Sequence, residues 1–169
     1  MWEITLGAPQ YPDPLGMHIW INKITAMNPH DLKNINLMNH YIGMESIPET
    51  IPELRYFPYI VGFMFLMAVL FAILGNNKLY LIWFIIMIIL GSLGMYDFWL
   101  WEHNYGHNLH SDAAIKFVDE IGNPMSYQPP LIGYKTILNF KVTSFPAVGA
   151  YLLFLGMISS LLAFYIGKK

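Results

Sequence analysis

Three stretches of this chain run without a charged side chain for long enough to cross a lipid bilayer. They are 57–74 (FPYIVGFMFLMAVLFAIL), 79–96 (LYLIWFIIMIILGSLGMY) and 148–166 (VGAYLLFLGMISSLLAFYI). At the helical rise each covers roughly 27 to 29 Å, about one hydrocarbon core. Core helices of a soluble protein are the alternative reading. Charged residues make up only 12% of the 169 residues, however, so too little polar sequence remains to enclose three such helices. The expected fold is therefore an all-α membrane protein, a bundle of three transmembrane helices forming a single membrane domain over 1–169.

The connection GNNK, 75–78, allows only a tight turn, so the first two spans form an antiparallel hairpin. Lys78 lies in that turn, and Lys168 and Lys169 follow the third span. Excess basic charge marks the cytoplasmic side. Segments 1–56 and 97–147 then lie outside the cytoplasm and hold all six histidines, His18, His30, His40, His103, His107 and His110. The two segments are expected to pack as one extracytoplasmic cap, with 30–44 touching 100–110, because polar groups beside a membrane need partners. The net charge of −2 argues against nucleic acid as a partner. The absence of cysteine removes disulfides, thiolate metal sites and thiol nucleophiles together. No signal peptide precedes segment 1–56, and the expectation is a further helix before Met1 in the native chain.

Within the first segment, LGMHIWINKI (15–24) alternates partly, with Met17, Ile19 and Ile21 on one face and His18, Trp20 and Asn22 on the other. Residues 30–44 read as helical: NPHD supplies a start signal, and Leu32, Ile35, Met38 and Ile42 form a stripe. IPETIPEL (47–54) is a proline-punctuated connector, and GNPMSYQPPLIG (122–133) is too rich in turn residues to be one helix.

Three groups carry chemistry. In WEHNYGHNLH (101–110), His103, His107 and His110 share a helical face with metal-binding spacing, although Gly106 weakens a continuous helix there. Glu102 or Asp97 would orient an imidazole from behind. The competing reading is a polar rim on a span that continues past the bilayer, with Trp99 and Trp101 as interfacial anchors. In MNHYIGM (38–44), His40 and Met44 are four apart, an imidazole–thioether pair suited to Cu(I); its competitor is plain packing. Asp97, at the outer end of the second span, needs a partner, for which Arg55 is placed. No phosphate loop, nucleophile elbow or H-E-x-x-H motif is present, so no catalytic grouping supports an enzyme.

Four stretches, APQYPDPLGMHIW (8–20), INLMNHYIGM (35–44), YDFWLWEHNYGHNL (96–109) and SYQPPLIGYKTILNF (126–140), resemble a family of small polytopic membrane proteins. That family is associated with bacterial gene clusters for nitrous oxide reductase and its copper maturation. The resemblance centres on Asn39, His40, Tyr41, Gly43 and Met44, and on Trp101, Glu102, Tyr105, Gly106 and His107. Met17 falls in its first motif, whereas His18, His30, His103 and His110 fall outside it. It implies a cross-segment pair of His40 with His107, not a His103/His107/His110 face. The metal ligands expected are His40, Met44 and His107, with Glu102, Asp97, Asn39 and Tyr105 as supporting polar groups.

The function expected is that of a non-enzymatic accessory protein of the bacterial inner membrane. It would handle copper for a periplasmic cuproenzyme such as nitrous oxide reductase, with its histidine-bearing loops in the periplasm. Its partners would be the lipid bilayer and other membrane or periplasmic proteins in a hetero-oligomer. The alternative is a structural, non-catalytic subunit of a larger respiratory membrane complex.

Overall fold

A computed structural model describes residues 1–118, 121–123 and 125–167; Lys168, Lys169 and Pro124 of the turn-rich stretch lie outside the described residues. The three apolar runs are helices. Helix α2 spans Pro52–Leu74, α3 Asn77–His107 and α4 Val148–Ile166. All three are long and apolar enough to cross a membrane. The turn between α2 and α3 is as short as the sequence implies. Gly75 takes a left-handed φ of 63°, and the Asn76 side chain accepts from the Lys78 N–H at 3.0 Å. Two bonds tie the helices within the apolar region. The Trp83 indole donates to the Met64 carbonyl at 2.9 Å, and the Ser160 hydroxyl to the Tyr80 carbonyl at 2.9 Å. Asn77 also donates to the Gly167 carbonyl, so the hairpin turn and the end of α4 lie at the same face.

The other face carries the correction to the all-helical expectation. Five strands, β1 (Trp2–Gly7), β2 (Leu15–Ile19), β3 (Ile24–Ala26), β4 (Gly133–Ile137) and β5 (Phe140–Pro146), form one antiparallel sheet in the order β3-β2-β1-β5-β4. The chain is thus a hairpin of two long apolar helices plus a third such helix, joined to an α+β cap. The centre of the sheet pairs the two ends of the sequence: Ile4 lies opposite Met17 on one side and Ser144 on the other. Alternation sorts the faces. Ile4, Leu15, Met17, Ile24 and Val142 are buried. On the other face Glu3 sits 3.9 Å from His18, and the Thr5 and Thr143 hydroxyls are 2.6 Å apart.

Helix α1 (Asp31–Ile42) covers the buried face of the sheet with Ile35, flanked by Leu32 and Met38. Its start is pinned to β2, because the buried Asp31 carboxylate accepts from the Gly16 and Asn28 N–H groups, each at 3.0 Å. It ends at Gly43, whose φ of 82° favours glycine. Leu54, at the start of α2, and Phe98, on α3, complete the core, so the cap rests directly on the long apolar helices.

Candidate functional site: the outer end of helix α3

The apolar run of α3 ends at Tyr96, yet the helix continues for eleven residues to His107. Gly106 does not break it. A Cβ there would overlap the backbone of Gln128, and the Gly106 carbonyl accepts from the Tyr127 N–H at 2.9 Å. The glycine is required by close approach of the 126–128 strap, not by a turn.

This extension presents an aromatic ladder. The Trp99 and His103 rings stack with centroids 5.2 Å apart, and the His103 and His107 rings follow at 4.0 Å. His107 Nδ1 lies 2.8 Å from the His103 carbonyl oxygen, and His103 Nδ1 lies 3.3 Å from Gln128 Oε1. Both partners are acceptors, so a neutral ring bonded in this way has its proton on Nδ1 and its lone pair on Nε2. Neutral imidazoles held through Nδ1 by an oxygen are in the form that ligates a metal. His110 does not join them, since the helix ends before it. Its backbone N–H instead donates to the Gly43 carbonyl at 2.8 Å.

Segments 1–56 and 97–147 do meet. Asn39 Nδ2 donates to the Tyr105 hydroxyl at 3.1 Å, and that hydroxyl donates to the Glu45 carbonyl. Burial pushes the Tyr105 phenol above its ordinary range. The expected ligands have different surroundings, however. His40 is exposed and its ring neighbour is Tyr41, at 6.2 Å, whereas the ring neighbour of His107 is His103. Met44 is buried and lines a cavity of about 100 Å³ in the cap core, together with Met17, Met38, Asn39, Trp101 and Tyr105. His40 and His107 do not line it. Among the described residues no group of three histidine or carboxylate side chains is placed to hold a metal.

Glu102 does not orient an imidazole. It is 0% exposed, and neither carboxyl oxygen has a hydrogen-bond partner among the described residues. Its helix-face neighbours explain the enclosure. Phe98 meets the Trp2 ring edge-on at 5.7 Å, and Gly106 packs on the strap. Desolvation pushes the carboxyl up to about 8, so Glu102 is held largely as the neutral acid at pH 7. Asp97 makes no ion pair with Arg55; among the described residues the single contact between a carboxylate and a basic side chain is Glu3 with His18, at 3.9 Å.

Gln128, which holds His103, had no distinguishing signal in the sequence beyond its place before Pro129 in a turn-rich stretch. His103 itself was legible from its spacing to His107, but it lies outside the motif that carries the family resemblance. Comparison of the chain with protein-family models, with curated proteins and with solved structures finds no match.

Proposed function

We propose that this chain is an integral membrane accessory protein that holds copper at the outer end of α3 for transfer to a periplasmic cuproenzyme, nitrous oxide reductase being the client suggested by the resemblance. The observation that carries the reading is the His103–His107 pair. Two imidazoles, with ring centroids 4.0 Å apart and each held through Nδ1, stand at the rim of a membrane-anchored cap. Two protein ligands leave coordination positions open, which suits an ion that must be passed on. Imidazole accepts copper, and the lack of cysteine, with no clustered carboxylate set among the described residues, disfavours a closed structural zinc site.

The test is Cu(I) titration of the purified protein in detergent under anaerobic conditions, against a chromophoric chelator. His103→Ala and His107→Ala should each weaken a bound equivalent by tenfold or more, and Gln128→Ala by a smaller factor. His30→Ala, far along the chain at the start of α1, should leave binding unchanged. If wild type and the His103→Ala/His107→Ala variant bind Cu(I) equally, the structural-subunit reading becomes the better one. Stoichiometric recovery of the chain with a respiratory complex, free of copper, would point the same way.

A further inference from the structure

Met17 on β2, Met38 on α1 and Met44 just after α1 line the same cavity of about 100 Å³ in the cap core. Met17 and Met44 are buried, and the Met38 sulfur accepts the Tyr11 hydroxyl at 3.9 Å. Five of the other methionines, Met64, Met67, Met87, Met95 and Met157, lie on the membrane helices, where a flexible apolar side chain needs no further explanation. In a core, methionine ordinarily serves to close irregular gaps. Here three of them rim a space well beyond the volume that one water needs. Among the described residues no cationic side chain lines that space.

We propose that the cavity is an interior Cu(I) site formed by the thioethers of Met17, Met38 and Met44; this rests on the copper reading above and adds a second site to it. Thioethers are soft, neutral donors that select Cu(I) over Zn(II) and over hard cations. A monovalent ion brings the least charge into a buried space. The stacked rings of Trp101 and Tyr105, with centroids 5.0 Å apart, border the cavity and offer aromatic faces to a cation. Binding involves no redox step and no proton release, because a thioether does not titrate. Imidazole ligands behave differently, since acid competes with a metal for their nitrogen as it does not for a thioether sulfur. The two sites are therefore separable by pH.

The experiment is Cu(I) titration of the whole protein in detergent at pH 7.5 and at pH 5.0, with X-ray absorption of the copper retained at pH 5.0. Wild type should hold two equivalents at pH 7.5 and one at pH 5.0, the latter with sulfur as its only near scatterer. Combined Met17→Leu, Met38→Leu and Met44→Leu nearly conserves volume. It should abolish the equivalent held at pH 5.0 and spare the pH-sensitive one. Copper bound at pH 7.5 alone would overturn the thioether site while leaving the His103–His107 reading intact. Nitrogen or oxygen scatterers around the copper retained at pH 5.0 would also overturn it. Absence of Cu(I) at both pH values would sink both readings. The absorption measurement uses wild-type protein, so it decides the matter even if the triple variant folds poorly.

Discussion

Replacing Glu102 by glutamine tests the most costly feature of the cap. The carboxyl is fully buried without a hydrogen-bond partner among the described residues, and burial raises it from an ordinary value of 4.5 to about 8. A raised acid means that the folded state holds its proton more tightly than the unfolded state. Stability is therefore unaffected below pH 4.5, falls as pH rises from 4.5 to 8, and carries the full penalty above pH 8. That rise corresponds to about 5 kcal/mol at full ionisation, and to about 3 kcal/mol at pH 7. Glutamine has nearly the same shape and cannot ionise. Glu102→Gln should match wild type near pH 4.5 and exceed it progressively toward pH 8, by several degrees in Tm. Thermal unfolding followed by tryptophan fluorescence reads this directly, since Trp2 and Trp101 both lie in the cap core. Infrared difference spectra should also show a protonated carboxyl band at pH 6 that is absent in the variant. Parallel stability profiles for the two proteins across pH 4.5 to 8 would refute the reasoning, because the carboxyl would then be hydrated or paired.

Other perturbations probe the same region. Gly106→Ala places a methyl group on the backbone of Gln128 and should destabilise the cap by about 1–3 kcal/mol, measured by thermal or denaturant unfolding. Tyr105→Phe removes the hydroxyl that joins buried Asn39 to the Glu45 carbonyl, and should cost about 1–3 kcal/mol in the same assay. In intact cells, an impermeant thiol reagent should label Asn108→Cys in the cap and leave Lys78→Cys in the hairpin turn unlabelled; the reverse pattern would invert the proposed orientation.

Several elements could be read without the fold. The spans 57–74, 79–96 and 148–166 lie within or coincide with the three long helices. The 30–44 stripe became α1, with Ile35 at its centre in the core. The sheet was partly visible too. Met17 and His18 alternate as expected in β2. Trp2, Ile4 and Leu6 also alternate with Glu3 and Thr5, a signal in β1 that only becomes decisive beside its partners. The β4–β5 hairpin was concealed by its turn. Leu138 takes a left-handed φ of 56° where glycine or asparagine would ordinarily announce such a connection.

The difference between the two kinds of information is physical. A lipid core makes a demand that is local in sequence: enough consecutive apolar residues, each backbone group bonded within its own helix. Length and charge along the chain therefore determined the three helices long and apolar enough to span a membrane, and a four-residue connection determined the hairpin. Pairing between strands at opposite ends of the chain is not local, and neither is the fate of a polar side chain near them. Only closure of β1 against β5 fixed Trp2 beside Phe98, one helical turn from the buried acid Glu102. Only the approach of the 126–128 strap placed Gln128 against His103, and only the packing of α1 on β2 turned Met17, Met38 and Met44 toward one cavity while leaving His40 outside it.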